Sequence, residues 1–517
     1  MTVLRAGRNV WRVATAETSG VLVDAADYYH AFYWAARQAR RSILVSGWEF
    51  DSGVPLLRGA DAPPGAEVRL LRFLNGLCAA NPDLYICLLA WDFHVVLAGE
   101  REWLQRVYFH WLTHSHLHFR VDDAPVAGGS HHQKFVVIDG RLAFLGGMDL
   151  RDACWDDRRH LVENPDRLTR GRPHKPYHDV HAYLAGGAAP LALEQYFFER
   201  WQGAGGGRPP LPPAVPGGSD FHPRGALPLG RARVGLSRTQ PRARGLPVRE
   251  VERLFTDAIA SAQRLIFIET QYFSSRRVCD ALVRRMRETA KPRLDIVIVV
   301  NERAEAIKEE LAVGLRQAEN LETLRHVAAE TGHALGCYGT LARGAKDGEP
   351  LPTYIHSKVL VIDDGFLTIG SANLTNRSMG IDSELHASWE ADGDAALRRR
   401  IRRVRVSLLA EHAGVTARAD VRSLAALDGL VRSLDAIAGR PGARLRPHGP
   451  PSGVQRAALT LVDPQAMPFD SDGREEEDRA ARLEPSDVHS VRSLRRLLAG
   501  AGSALWSRVS GPRRRAA

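Results

Sequence analysis

The chain has 517 residues, of which 44% are hydrophobic and 25% charged, so it is long enough for two or three domains with buried cores. Lys and Arg total 70 against 60 for Asp and Glu, and the net charge of +10 favours a phosphate-bearing partner, either nucleic acid or an anionic membrane surface. The five cysteines are scattered and never form a C-x-x-C pair, which argues against a disulfide framework or structural zinc site and indicates a reducing compartment. With no signal-like leader and no run near the ~20 apolar residues that span a bilayer, we expect a cytoplasmic protein.

Helical and apolar, strand-like segments alternate through the first part of the chain. The pattern predicts helices at residues 25–40, 68–79 and about 100–112, each followed by a buried strand, at residues 42–50, 84–90 and 117–121. A Gly-rich turn then leads into HHQKFVVIDGRLAFLGGMD, residues 131–149. This alternation predicts an α/β fold.

The second part of the chain repeats the first. RLIFIETQYF, residues 264–273, parallels RSILVSGWEF, residues 41–50, and IHSKVLVIDDGFLTIGSAN, residues 355–373, parallels the first motif. His132 lies 91 residues after Arg41, and His356 lies 92 residues after Arg264. This period, near 224 residues, is far longer than that of a solenoid and predicts an internal duplication of one α/β unit.

We therefore divide the chain into an N-terminal unit at residues 1–205, a connection at 206–245, a C-terminal unit at 246–438 and an extension at 439–517. The connection begins with GAGGGRPPLPPAVPGG, a composition that disfavours both helices and strands, so we expect it to be irregular. We expect the extension to be partly disordered. Its apolar residues permit a basic amphipathic helix that either packs on the protein or contacts a membrane: Val491, Leu494, Leu498, Leu505 and Val509.

Each motif places a histidine and a lysine two residues apart, His132 with Lys134 and His356 with Lys358. Because side chains at i and i+2 lie on one face of a strand, each pair should project together. The apolar runs FVVI and VLVI follow, and Asp-Gly turn dipeptides then predict a β-hairpin in each unit.

The aspartates of the motifs, Asp139 and Asp363, complete the candidate catalytic set, although their position at the turn favours a structural role as acceptors of backbone N–H groups. The return strands end in small residues, including Gly147 and Ser371, which would let a phosphate approach the backbone closely. Asn373 follows and can donate an amide hydrogen bond to a phosphoryl oxygen.

Two imidazoles and two ammonium groups at one point suit phosphoryl transfer. The lysines would neutralise a phosphodiester, one histidine would attack phosphorus, and the other would act as general acid and base. A nucleophilic histidine needs an acceptor on its remote nitrogen, and Asp179 and Glu384 are the acids available after each motif. This chemistry requires neither a metal nor a cofactor.

The doubled H-x-K-x(4)-D motif resembles that of the phospholipase D superfamily. GGMDLRDACWDD, PYHDVHAYL with a later FERW, IFIETQYF and GSANLTNRSMGIDSE also resemble blocks of phospholipase D proper, in the family's order. The resemblance implies two pseudo-symmetric α/β sandwich lobes with one active site at their interface. It implies catalysis and phosphate binding by His132, Lys134, His356, Lys358 and Asn373, with Asp179 and Glu384 orienting the histidines. The family more often uses the N-terminal histidine as nucleophile.

The implied activity is hydrolysis of glycerophospholipids to phosphatidic acid, transfer of the phosphatidyl group to an alcohol, or both, by a monomer bound peripherally to an anionic membrane. Two alternatives within the superfamily are a cardiolipin synthase-like phosphatidyltransferase and a nuclease-type phosphodiesterase, although we do not expect a nucleic-acid substrate. A non-enzymatic lipid-binding scaffold is disfavoured because both motifs are intact. The sequence departs from the family where Thr270 replaces the usual Asn of an ENQ block.

Overall fold

The computed structural model describes residues 2–91, 109, 113–122, 129–211, 221–241, 246–302, 313–344, 350–450 and 470. The helix predicted at residues 100–112, Phe109 apart, and the amphipathic helix predicted in the extension lie outside the described residues. Residues 1–471 form one compact unit, and residues 472–517 are assigned to a second.

The strands in chain order are β1 (Arg12–Ala16), β2 (Thr18–Val23), β3 (Ser42–Gly47), β4 (Tyr85–Trp91), β5 (Leu117–Asp122), β6 (Lys134–Ile138), β7 (Leu142–Gly146), β8 (Leu168–Thr169), β9 (Arg172–Pro173), β10 (Tyr177–His178), β11 (Val180–Ala185), β12 (Leu227–Pro228), β13 (Ala232–Gln240), β14 (Val248–Arg249), β15 (Leu265–Thr270), β16 (Asp295–Val300), β17 (Ala334–Thr340), β18 (Tyr354–Ile355), β19 (Val359–Ile362), β20 (Phe366–Gly370), β21 (Glu384–Glu390) and β22 (Leu445–Pro447).

The helices are α1 (Asp24–Ala36), α2 (Leu70–Ala80), α3 (Ala189–Gly203), α4 (Glu250–Ser261), α5 (Arg276–Arg287), α6 (Leu315–Thr331), α7 (Asn376–Gly380), α8 (Ala395–Ala413), α9 (Arg418–Leu424) and α10 (Leu430–Ala438), with short 3-10 turns at Gly59–Asp61 and Asp152–Cys154. None of the described helices is long and apolar enough to cross a membrane.

Two large sheets repeat one strand order. The first runs β12-β2-β11-β7-β6-β3-β4-β5, and the second contains β13-β21-β20-β19-β15-β16-β17 in the corresponding positions. In both, the motif hairpin pairs antiparallel to the first strand of a parallel trio, β6 to β3 and β19 to β15. The predicted α/β fold is confirmed, and the common order agrees with an internal duplication.

The sheets bury both faces, which is why their strands are almost continuously apolar. One core joins the facing sides of both sheets with α3 and α8, and contains Phe135, Val137, Val359 and Val361 from the motif strands. The outer face of the first sheet packs against α1 and α2, and that of the second against α4, α5 and α6. Helices therefore cover every sheet face, and the two motif hairpins lie back to back across the shared core.

The sheets do not follow the predicted chain divisions. β1, at the start of the chain, pairs with β13 in the second sheet, while β12 extends the first sheet. β13 is a nine-residue strand inside the connection that was expected to be irregular. Its residues 234–237 are all buried, but the surrounding Gly and Pro hide this short run, and pairing with β1, β14 and β21 stabilises the strand.

Candidate active site

The two motifs approach each other by exchanging backbone contacts between the halves. The His132 N–H donates to Ser383 O at 3.0 Å, and the His356 N–H donates to His178 O at 2.8 Å. Each histidine therefore lies beside the residue that precedes an acid of the opposite half. His132 comes two residues before β6 and His356 three residues before β19, rather than within these strands as predicted, because their backbones pair across the halves instead.

His132 is oriented by Glu384. Its Nδ1 lies 3.1 Å from each Glu384 carboxylate oxygen, which leaves Nε2 available for chemistry. Burial alone would raise the pKa of Glu384, but His132 and the Ser371 hydroxyl outweigh it and hold that pKa below its usual value. His132 therefore faces a charged carboxylate, the arrangement that raises the nucleophilicity of an imidazole.

His356 is oriented by Asp179, whose Oδ2 lies 2.6 Å from its Nδ1. Burial raises the pKa of Asp179 to about 7 even though Lys358 opposes the shift. Burial also holds the pKa of His356 well below its usual value, and the charges of Lys358 and Lys134 lower it further. His356 is therefore neutral at pH 7 in the unliganded protein.

The two lysines have different partners. The Lys134 ammonium lies 3.4 Å from Asp149 Oδ2 and donates to the His132 carbonyl at 3.1 Å. The Lys358 ammonium donates to Gln271 Oε1 at 3.2 Å, and burial lowers its pKa to about 7. Both are at least 97% buried, so the site holds two cations in a restricted space. Such a site favours a phosphate group, which would compensate both charges.

Small residues beside the acids have a role that the sequence did not indicate. A Cβ on Gly147 would lie 2.2 Å from Asp179 Oδ1, so glycine is needed to admit this carboxylate. The equivalent Ser371 donates its hydroxyl to Glu384 Oε2. Both residues therefore position the acids, whereas we had expected them to bind phosphate.

Asn373 is almost fully buried, and its predicted donation to a phosphate oxygen stays a prediction. It is 9% exposed, and its Oδ1 is buried without a hydrogen-bond partner within the described residues. Thr270, the departure from the family pattern, supports this segment, since its hydroxyl accepts from the Leu374 N–H at 3.3 Å and donates to Tyr272 O at 2.8 Å.

Asp139 and Asp363 lie away from the site. Each occupies a turn with positive φ, and each carboxylate accepts three backbone N–H groups, from residues 40–42 and 263–265 respectively. The five residues of β6 separate Asp139 from Lys134 by roughly 16 Å. These aspartates fix the hairpin to the neighbouring strand, as the turn position indicated, and their place in the candidate catalytic set stays an untested prediction that this position disfavours.

Aromatic residues that the sequence did not single out border the histidines. The rings of Trp48 and His132 are 6.5 Å apart, and those of Tyr177 and Tyr354 lie 5.3 Å and 6.4 Å from the His356 ring. Trp48 lies in the segment RSILVSGWEF that the duplication repeats, and Tyr177 lies two residues before Asp179. These positions in the sequence could have identified both aromatic residues as neighbours of the site. Gln271 links Lys358 to the Tyr354 hydroxyl, to which it donates at 2.8 Å.

A buried cluster lies behind His356 and includes His178, the neighbour of Asp179. Its four ligand-type side chains have ligand atoms within 4.8 Å of one another, with the histidine–carboxylate pairs at 3.0–3.4 Å, and could hold a divalent cation: Asp24, His160, His178 and Glu411. Asp24 Oδ2, which lies 3.4 Å from His160 Nε2 and is buried without a hydrogen bond to any described residue, fits a metal ligand. The same contacts also suit imidazolium–carboxylate pairs, because these carboxylates raise the pKa of His160 to about 9 against the effect of burial. The prediction that catalysis needs no metal stays a prediction.

The site is thus two oriented imidazoles, two ammonium groups and a free amide at one interface. Comparison with known proteins shows what the chain is similar to. A family described as "Cardiolipin synthase, PLD-like domain" matches residues 255–401, which include the second motif. Phospholipase D alpha 1 of Carica papaya is 24% identical over 74% of this chain, and cardiolipin synthase A of Pseudomonas putida is 25% identical over 49%.

The matched region is 63% of the papaya protein and 43% of the Pseudomonas protein, so the chain spans under two thirds of these relatives. In fold, the chain resembles the crystal structure of phosphatidylserine synthase from Haemophilus influenzae Rd KW20, with a TM-score of 0.50 and 15% identity over 78% of this chain and 89% of that one. The doubled motif, the exchanged acids and these relatives agree in one respect: the chain is similar to proteins of the phospholipase D superfamily.

Proposed function

We propose that the protein is a phospholipase D-type phosphodiesterase that cleaves glycerophospholipids between phosphate and head group. The observation that carries this proposal is the reciprocal pairing of His132 with Glu384 and His356 with Asp179, which presents two imidazoles in different protonation environments beside Lys134 and Lys358. Similarity to phospholipase D alpha 1 supports the substrate class.

In the first step, the two lysines and Asn373 hold the phosphate oxygens of the lipid. His132 Nε2 attacks phosphorus and forms an N–P bond while the bond from phosphorus to the head-group oxygen breaks. A proton from His356 goes to this leaving oxygen. His356 must therefore carry a proton when substrate is bound, and the incoming phosphate anion supplies the negative charge that raises its affinity for one.

In the second step, His356 takes a proton from water or an alcohol, whose oxygen then attacks phosphorus and releases His132. Water gives phosphatidic acid and an alcohol gives a phosphatidyl-alcohol, so one site supports hydrolysis and transfer. The family match and the Pseudomonas relative favour a cardiolipin synthase-like transfer as the second candidate. The basic excess of the chain supports peripheral contact with an anionic membrane, and we retain the predicted monomer and cytoplasmic location as part of this proposal.

The test is an assay of the full chain with vesicles of phosphatidylcholine or phosphatidylglycerol and with single-stranded DNA, each with and without a primary alcohol. We expect phosphatidic acid or a phosphatidyl-alcohol that disappears in His132→Ala and His356→Ala. His326→Ala, which removes an exposed histidine on α6, is the matched control and should retain activity. Cleavage of DNA without lipid turnover would overturn the lipid assignment.

A further inference from the structure

A second positively charged pocket lies away from the catalytic histidines. It has a volume of about 420 Å³ and is bordered by four arginines and one acid: Arg158, Arg343, Arg403, Arg444 and Glu411. The residues come from distant parts of the chain: Arg403 and Glu411 lie on α8, Arg343 follows β17, and Arg444 precedes β22. The fold therefore assembles an excess of cationic side chains in one concave region.

The one carboxylate of the pocket is already engaged. Glu411 Oε2 accepts from Arg158 Nε at 2.5 Å, and Glu411 Oε1 lies 3.0 Å from both His160 Nε2 and His178 Nδ1. Its carboxylate oxygens are thus occupied by Arg158 and the two histidines, although its charge still acts on Arg444. Three guanidinium groups face the pocket without a carboxylate hydrogen bond among the described residues: Arg343, Arg403 and Arg444.

Arg444 is the clearest sign of an absent anion. Its side chain is buried, with the residue 8% exposed, and its Nε donates to Leu341 O at 2.7 Å. Its Nη2 is buried and has no hydrogen-bond partner among the described residues. A buried, unsatisfied guanidinium N–H costs free energy that a bound anion would recover.

The backbone holds this arrangement before any ligand binds. The Arg343 N–H donates to His160 O at 2.8 Å, and its carbonyl accepts from the Val162 N–H at 3.0 Å. Gly414 has φ +67° after the end of α8, and a Cβ there would lie 2.5 Å from Arg444 Cδ. Glycine at this position therefore gives the Arg444 side chain its path into the pocket.

We propose that this pocket binds a phosphate monoester. Several guanidinium groups around one pocket match an anion with three terminal oxygens and a charge near −2. A carboxylate, with two oxygens and one charge, would satisfy fewer of these guanidinium N–H groups. The phosphate monoester could belong to a lipid head group or to a small soluble molecule. Its binding in this pocket does not depend on the reaction proposed above.

Titration calorimetry of the full chain with inorganic phosphate tests the site. We expect two binding sites, one at Lys134 and Lys358 and one in the pocket. Arg343→Gln/Arg403→Gln should weaken the second by roughly ten-fold or more, since each removes a charge-assisted contact at an exposed position. Arg399→Gln, an exposed arginine of α8 outside the pocket, is the matched control and should retain both sites.

Two further arms identify the source of the phosphate and guard against misfolding. Co-sedimentation with phosphatidylcholine vesicles containing phosphatidic acid or phosphatidylglycerol distinguishes a lipid monoester from a diester, and glycerol 3-phosphate represents the soluble case. If the double variant no longer binds phosphatidic acid or glycerol 3-phosphate, while its thermal unfolding and lipid cleavage are unchanged, the result supports phosphate binding in the pocket. Unaltered phosphate binding in the double variant, or equal loss in Arg399→Gln, would overturn it.

Discussion

His132 and His356 occupy equivalent positions in two sheets of the same strand order, yet their surroundings differ. His132 faces Glu384, whose pKa is held low, whereas His356 faces Asp179, whose burial raises its pKa to about 7. Burial raises the pKa of both acids, but at Glu384 the His132 ring, with help from the Ser371 hydroxyl, outweighs it. Ser371 donates a hydroxyl to Glu384, while Gly147 only leaves room for Asp179. A duplicated unit has thus become two unequal half-sites, which suits a nucleophile on one side and an acid–base on the other.

The largest expected effect separates the histidines. With a lipid substrate, His132→Ala and His356→Ala should each lower kcat by roughly 10³-fold or more, because nucleophile and general acid are both needed. With a phosphodiester that has a p-nitrophenolate leaving group, His356→Ala should recover much of the formation rate of the phospho-enzyme, since this group leaves without a proton. His132→Ala should not recover. A pre-steady-state burst of nitrophenol measures the first step, and a burst from His132→Ala alone would reverse the assigned roles.

The acids should differ in how their effects depend on pH. Glu384→Gln and Asp179→Asn should each lower kcat/KM by roughly 10²-fold at pH 8, because each carboxylate orients an imidazole. Asp179, with a pKa of about 7, is largely protonated at pH 5.5 and then resembles asparagine. The ratio of wild-type kcat/KM to Asp179→Asn kcat/KM should therefore shrink as the pH falls. The corresponding ratio for Glu384→Gln should stay constant down to pH 5. Parallel profiles for both variants would contradict this difference.

Deprotonation of Lys358 should lower kcat/KM at alkaline pH. Its pKa of about 7 means that the free enzyme loses the ammonium as pH rises through 7, and Asp179 loses its carboxylate as pH falls through the same value. We expect kcat/KM to be bell-shaped with a maximum near pH 7 and to fall about ten-fold per pH unit on the alkaline side. The two apparent pKa values belong to the coupled pair. Initial rates on phosphatidylcholine between pH 5 and 9 test this, and a rate that still rises at pH 9 would refute it.

Ser371→Gly makes the second half-site resemble the first. Loss of the hydroxyl should raise the pKa of Glu384 and lower kcat several-fold, in line with about 1 kcal/mol for one hydrogen bond. The ratio of wild-type kcat to Ser371→Gly kcat should grow as the pH falls below 5, because Glu384 of the variant takes up its proton at a higher pH, a change that simple loosening of the fold would not cause. Gly76→Ala, at an exposed position of α2 with open space around it, is a control that should leave kcat unchanged and stabilise the fold by up to about 1 kcal/mol.

The smallest effect on catalysis should come from the motif aspartates. Asp139→Ala removes an acceptor for three backbone N–H groups and should lower the free energy of unfolding by about 1–3 kcal/mol. Asp363→Ala should act in the same way in the other half. Denaturant titration measures the stability, and kcat per folded molecule should be unchanged. A loss of kcat in variants that remain folded would return these residues to the catalytic set.

Much of the site could be predicted from local patterns. The H-x-K spacing, the Asp-Gly turns and the repeated frame located both motifs, because a hairpin and its strand are set by neighbouring residues. Asp179 and Glu384 were found as the acids following each motif. Their exchange between halves was not visible in the sequence: Glu384 follows the second motif but orients the histidine of the first. Such pairing depends on how two sheets meet, which no local pattern records.

The sequence by itself determined the alternation of helices and strands, the duplication and the identity of the candidate reacting groups, since hydrophobic period and turn residues act over a few positions. Only the tertiary structure decided that Gly147 makes room for Asp179, that Glu384 and Asp179 are exchanged between the halves, and that β13 is a strand. It also brought Arg158, Arg343, Arg403 and Arg444 into one pocket. These features require residues tens to hundreds of positions apart to share space, and burial and packing in the folded chain set that proximity.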